Sequence, residues 1–267
     1  MPTQTPLTDA INALTTYANT VTSASDTTLS DAVATLAAGY GGGGGGNEDA
    51  ILERTLISLT NNSITTLGNG ALYDYSSLTS VTFGSVTTVE ANAMAYCSGI
   101  TSLSDANFPS LTRVKDSSFA YMTGLQTINL TSTIDIASNA YTFRGCTSLT
   151  SAMLPNLETS PNNSATTRSF YGCTALEVCD LGNVKGVGID TFNGCNALRT
   201  LILRRTSVMT LNGWAARHMG GIFNNPSEST IYVPQSLITS YQQTGNWASA
   251  YSAGVTFAKI EGSIYEL

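Results

Sequence analysis

Histidine is nearly missing from this sequence: His218 is the only one among 267 residues. A single imidazole excludes multi-histidine metal sites and leaves triad-type hydrolysis only one candidate base. That residue lies in Trp214-Ala-Ala-Arg217-His218-Met219, with no nucleophile motif beside it, and reads as structural or surface. Charge is also scarce, at 11% of residues, and leans acidic, with a net charge of -7. There is no basic footprint for nucleic acid or for an anionic membrane surface. Apolar residues make up 42%, too many for a disordered chain, yet no apolar run is long enough to span a bilayer. The first residues lack the basic and apolar stretches of a secretory signal, so none is expected. The cysteines are Cys97, Cys146, Cys173, Cys179 and Cys195, an odd number without a C-x-x-C pair. That argues against a disulfide framework or zinc and for buried, reduced thiols. The G-x-S-x-G elbow and the D-x-D-x-D-G loop are both missing. Glu177, Asp180 and Asp190, with Lys185 among them, have no paired acid/base spacing. The expectation is a protein that is not an enzyme and holds no cofactor and no metal.

Glycine is concentrated in one place. Gly41 to Gly46 are consecutive and are followed by Asn47, Glu48 and Asp49, which would repel phosphate. The tract over 41–49 reads as a linker rather than a nucleotide loop. Ahead of it, residues 1–40 predict two short helices. Thr5 and Pro6 can start the first, which carries Leu7, Ile11, Leu14, Ala18 and Val21; Leu29, Val33 and Leu36 stripe the second. Short helices with apolar stripes need something to pack on. That is each other, copies in neighbouring subunits, or a larger assembly.

The remainder repeats itself at about 24 residues. Phe143-Arg-Gly-Cys146-Thr-Ser-Leu149, Phe170-Tyr-Gly-Cys173-Thr-Ala-Leu176 and Phe192-Asn-Gly-Cys195-Asn-Ala-Leu198 are the clearest copies. The same frame fits Phe119, Met122 and Leu125, then Met94, Cys97 and Ile100, then Leu72, Tyr75 and Leu78. Three residues after each closing position come Val81, Leu103, Ile128, Ala152, Cys179 and Leu201. Alternation there, as in Leu125, Ile128 and Leu130 with Thr127 and Asn129 opposite, predicts a short half-buried strand. The Phe-x-x-Cys-x-x-Leu step suits a short helical or 3₁₀ turn. One such coil cannot bury its apolar side alone, so stacking into a solenoid is predicted, with Cys97, Cys146, Cys173 and Cys195 in one buried column. The second copy breaks the frame at Asp105 and recovers at Phe108.

These motifs resemble the BspA-type leucine-rich repeats, whose coil reads I-xx-AF-xx-C-xx-L-xx-V-x-LP; Leu154-Pro155 preserves the trailing pair. The resemblance covers about residues 64–205. It implies a right-handed leucine-rich-repeat solenoid of short strands over 50–228, an α+β repeat fold. Ile231-Tyr232-Val233-Pro234, with Leu237, Tyr241, Trp247 and Tyr251, resembles the strand and helix that close such solenoids, which implies a cap over 229–267. Departures are the weak early copies, the insertion 160–167 and the irregular stretch 206–226. The segment through the glycine tract resembles N-terminal segments of prophage tail-associated proteins of gut bacteria.

Outward strand positions form a ladder from Ser80 and Thr82, through Thr127 and Asn129, to Ser151 and Met153, Val178 and Asp180, Thr200 and Ile202. Such a face suits many weak contacts with a glycan or protein and offers no deep pocket. The expected binding residues are Met153, Val178, Asp180, Ile202, Arg204 and Trp214. The leading expectation for the whole chain is a virion-associated adhesion protein, tail-tip or fibre-like. Residues 1–40 would dock it to other virion tail proteins as a homo-oligomer, and the solenoid would perform host recognition on a cell-surface protein or glycan. The alternatives are a bacterial cell-surface or secreted BspA-like adhesin and a purely structural virion cap. Neither nucleic-acid binding nor membrane insertion is expected.

Overall fold

In the computed structural model, the structure describes residues 56–133, 135–136, 141–158, 167–188, 190–211 and 223–267. The expected helices of 1–40, the glycine tract, most of the insertion, Trp214 and His218 lie outside the described residues. Nine short strands mark successive passes of the chain along one side. They are β1 (Ser58–Thr60), β3 (Ser80–Thr82), β5 (Ser102–Ser104), β7 (Thr127–Asn129), β9 (Ser151–Met153), β10 (Val178–Asp180), β12 (Thr200–Ile202), β14 (Thr230–Val233) and β15 (Thr256–Lys259). All pairings are parallel, β1 with β3 and then a seven-stranded sheet in the order β5-β7-β9-β10-β12-β14-β15. The central residue of each strand is buried: Leu59, Val81, Leu103, Ile128, Ala152, Cys179, Leu201, Ile231 and Phe257. Register pairs like with like, Leu103 with Ile128, Ala152 with Cys179 and Cys179 with Leu201. A one-residue slip would turn every one of these side chains to solvent, which fixes the register. The result is a parallel solenoid whose core runs its whole length. Its first coil, with Leu56, Leu59, Ile64 and Leu67 buried, precedes the first copy of the repeat frame.

A second set of two-residue strands follows the first four passes: β2 (Thr66–Leu67), β4 (Thr88–Val89), β6 (Arg113–Val114) and β8 (Asp135–Ile136) form one sheet. Further along, β11 (Gly186–Val187) pairs with β13 (Thr210–Leu211). The frame break at Asp105 has a local cause. No strand pairing joins β3 to β5; instead the Asn107 side chain donates to the Val81 carbonyl at 2.9 Å and accepts from the Ser104 N–H at 2.9 Å. Phe108 then stacks on Phe83, ring centres 5.4 Å apart. The extra residues are absorbed by an asparagine stitch and the core column is restored.

The Phe-x-x-Cys-x-x-Leu segments are turns without helix. The three-residue hydrogen bonds do form, as Cys146 N–H to Phe143 O at 3.3 Å and Leu149 N–H to Cys146 O at 3.1 Å. Helix is prevented because left-handed residues reverse the intervening peptides. Two residues before the large apolar position stand Gly70, Asn92, Ser117, Arg168 and Asp190; two after it stand Asp74, Tyr96, Tyr121, Gly145, Gly172 and Gly194, all at positive φ. The freed N–H groups donate to the next coil: Phe119 to Thr142, Phe143 to Ser169 and Phe170 to Thr191, each at 2.9 to 3.0 Å. The thiols of Cys97, Cys146, Cys173 and Cys195 point the other way, each donating to the preceding coil, as Cys97 to Leu72 O at 3.0 Å and Cys195 to Phe170 O at 3.1 Å.

The C-terminal part continues the stack. Between β14 and β15 lie α1 (Ile238–Gln243) and α2 (Gly245–Ser252). They bury Tyr241 and Trp247 against the last coils. Among the described residues no helix is long and apolar enough to cross a membrane.

Candidate functional site

The strand side presents two outward columns, because alternate residues of each three-residue strand face away from the core. The first column is Ser58, Ser80, Ser102, Thr127, Ser151, Val178, Thr200, Thr230 and Thr256. Adjacent strands are about 4.8 Å apart, so this is a regular row of hydroxyls interrupted once, by Val178. These hydroxyls make no hydrogen bond to another described residue, whereas Thr79 and Thr150, just before their strands, donate back to Ile57 O and Gln126 O at 3.0 Å each. One set staples the coils and the other faces outward. Ser58, Ser80, Ser102 and Thr127 are exposed, and Ser151, Val178 and Thr200 are half-buried.

The second column changes character along the axis. Thr60 and Asn129 are exposed and Met153 is half-buried, but Asp180 and Ile202 are fully buried. Asp180 is covered by Arg204. Its Oδ2 accepts from Arg204 Nε at 2.8 Å and lies 2.7 Å from Nη2, while its Oδ1 accepts from the Gly182 N–H at 2.9 Å. Burial pushes the Asp180 carboxyl above the ordinary carboxylate range, against the opposing pull of Arg204 and the Gly182 N–H. The two residues form an internal ion pair, with the Arg204 side chain only 9% exposed. Ile202 lies in register between Asp180 and Tyr232. Of the six expected binding residues, Met153 and Val178 are half-buried on neighbouring strands, in different columns; Asp180 and Ile202 are buried, Arg204 covers Asp180, and Trp214 lies outside the described residues.

All five cysteines are buried free thiols. Burial pushes Cys97 up to about 12 and Cys146, Cys173 and Cys179 well above the ordinary thiol value. Thiols held protonated inside a core are poor nucleophiles, so the column is structural.

A second surface feature, not singled out by sequence reasoning, follows the turns. Tyr73 and Tyr96 meet edge-on at 5.3 Å, Tyr96 and Tyr121 stack at 4.8 Å with planes 15° apart, and the Arg144 guanidinium lies 5.5 Å from Tyr121, 4.7 Å from Tyr141 and 5.3 Å from Tyr171. The signal in the sequence is a planar side chain at one of two adjacent turn positions in successive coils. It is blurred because the position shifts, from Tyr73 to the residue after the equivalent site at Tyr96 and Tyr121, then back at Arg144 and Tyr171.

The BspA type leucine rich repeat region model matches the chain in six copies, over residues 53–165 and 98–215. Among solved structures, a leucine rich cell surface protein from Faecalibacterium prausnitzii is 15% identical with a TM-score of 0.35 over 79% of this chain. The match covers 61% of that relative's own length. A leucine-rich repeat protein from Bacteroides ovatus is 10% identical with a TM-score of 0.18, over 77% of this chain and 92% of its own. No curated protein matches the sequence. The six family copies, the parallel coils and the buried Phe, Cys and Leu columns agree on one conclusion: the chain belongs to the BspA type leucine-rich repeat family.

Proposed function

We propose that the chain is a non-enzymatic adhesion protein whose solenoid contacts a protein or glycan on a host surface. The observation that carries this reading is the outward row of hydroxyls at one-coil spacing, broken only at Val178 and making no hydrogen bond to another described residue. A flat, repeated polar face gains affinity by many weak hydrogen bonds rather than by one enclosed pocket. Residues 1–40 provide the mount and the 41–49 tract its reach, and self-association through 1–40 would multiply weak contacts. The resemblance of the N-terminal segment to prophage tail-associated proteins favours a virion mount; a mount on the bacterial cell surface uses the same solenoid in the same way.

The test places bulk on the exposed row without touching the core. Full-length protein carrying Ser102→Arg and Thr127→Arg should keep its thermal midpoint and lose binding to host cells. Undiminished binding removes the strand face from the proposal. Deletion of residues 1–40 should lower the mass measured by sedimentation and weaken cell binding; no change in either ends the mounting role. An antiserum applied to washed cell envelopes and to particles released by prophage induction decides between the two mounts.

A further inference from the structure

We propose that the tyrosine–arginine ridge along the turn side is a second contact surface, built for a protein partner that places a carboxylate against Arg144. The inference rests on the adhesion reading and deepens it by adding a surface and a partner chemistry. The ridge runs over five successive coils, with Tyr73 40% and Tyr96 39% exposed and Tyr121, Tyr141, Arg144 and Tyr171 half-buried. Tyrosine and arginine are the side chains that concentrate binding energy at protein interfaces, because they bring large area at low conformational cost. Here that cost is lowered further, since each ring is held by its neighbour before any partner arrives.

Two observations set the ridge apart from a packing device. Tyr96 and Tyr121 sit at φ of 65° and 57°, where the three later coils carry Gly145, Gly172 and Gly194. The fold therefore asks for glycine at this turn position, and a tyrosine there holds its backbone in a disfavoured region. Departures from a local rule of this kind concentrate at functional sites. Arg144 is the second observation. It has three rings around it and makes no ion pair with a described carboxylate, whereas in the neighbouring coils Arg113, Lys115 and Arg168 are each paired with one.

The ring geometry selects the partner class. Sugar stacking needs an open ring face, but Tyr96 and Tyr121 face each other, and the Tyr121 ring also lies so close over Gly145 that a Cβ there would meet it at 2.6 Å. The faces of Tyr96 and Tyr121 are therefore occupied within the ridge, and the Arg144 guanidinium lies among three rings without an ion pair to a described carboxylate. One guanidinium in the ridge of a chain of net charge -7 does not suit nucleic acid or an anionic membrane. A protein surface with an acidic side chain fits both the partly exposed rings and the charge.

The experiment selects binders from a displayed library of random disulfide-closed peptides on the full-length chain. It then compares those binders on Arg144→Ala and on Tyr96→Gly/Tyr121→Gly, with a glycan array in parallel. Ridge binders should carry an essential Asp or Glu and lose about tenfold or more in affinity on either variant. The glycine variant should have a thermal midpoint at or above the parent's, since it relieves two positive-φ tyrosines. A lowered midpoint with binding retained would make the ridge a structural staple and overturn the proposal. So would peptides indifferent to both variants, or glycan binding that depends on the ridge. The selection needs no host cell, so it judges the ridge even where the cell-binding assay has removed the adhesion reading.

Discussion

Asp180 shows how one side chain can leave an interface for the core. Alternation puts it on the outward side of β10, yet Arg204 closes over it from the next coil, two residues past β12. The guanidinium supplies two of the three contacts that hold the carboxylate. Removing one member of a buried pair strands the other, which costs about 3–5 kcal/mol at neutral pH. Arg204→Ala should show that loss in urea unfolding at pH 7. The sign of its pH dependence follows from linkage. The Asp180 carboxyl is already raised by burial, and without Arg204 it rises further, so the folded chain holds the proton more tightly than the unfolded one. Its stability deficit should be small at a pH below the ordinary carboxylate value, grow as pH rises through the carboxylate range, and level off above the raised folded value. An equal deficit at pH 4 and pH 7 would refute the account. Met153 and Val178 were legible as surface positions because they depend only on strand period. The burial of Asp180 was not, because its partner lies 24 residues away and alternation carries no information about what covers a face.

The stacked column is the element of this fold. Phe119, Phe143, Phe170 and Phe192 follow one another with ring centres 5.6, 5.3 and 5.7 Å apart and planes within 16°. Phe143 and Phe170 have a ring on each side, and Phe192 has one at its N-terminal side. Phe143→Ala opens a void between two coils whose backbones are fixed by inter-coil hydrogen bonds, so the site cannot collapse. A loss of about 3–5 kcal/mol is expected in thermal or urea unfolding, and about 2–5 kcal/mol for Leu149→Ala beside it. Losses below 1 kcal/mol would mean that the coils slide together. The thiol column makes a separate prediction. All five thiols are buried, and desolvation raises Cys97, Cys146, Cys173 and Cys179, so native protein at pH 8 should react slowly with a thiol reagent, and unfolded protein without reductant should release five. Fewer than four would show that disulfides form. The columns were readable in the sequence because every coil repeats the same spacing. The turn conformation was not: a three-residue apolar step fits a 3₁₀ turn equally well, and only the left-handed residues, five of them glycine or asparagine and the others not, decide against it.

At the scale of the molecule, each coil touches only the coils beside it, so stability propagates as a chain of neighbour interfaces. The ends then matter more than the middle. At the C-terminal end, the described part of the irregular coil is held by its backbone: the Met209 N–H donates to the Tyr241 hydroxyl at 3.0 Å, and the Met209 carbonyl accepts from Trp247 Nε1 at 2.7 Å. Asn246 Nδ2 adds a bond to the Leu211 carbonyl at 2.9 Å. One coil that has lost its repeat frame is thus secured by three side chains of the two short helices. Trp247→Ala removes both the indole bond and the ring packed at 5.5 Å from Tyr241. It should cost about 3–5 kcal/mol locally. A neighbour-coupled array confines such damage to the nearest coils. Hydrogen exchange should therefore speed up at Thr210, Leu211 and along β14 and β15 while β5 and β7 keep the protection they have in the parent. Loss of protection spread evenly from β5 to β15 would instead make the solenoid a single cooperative unit, in which a defect at the last coil is felt equally at the third.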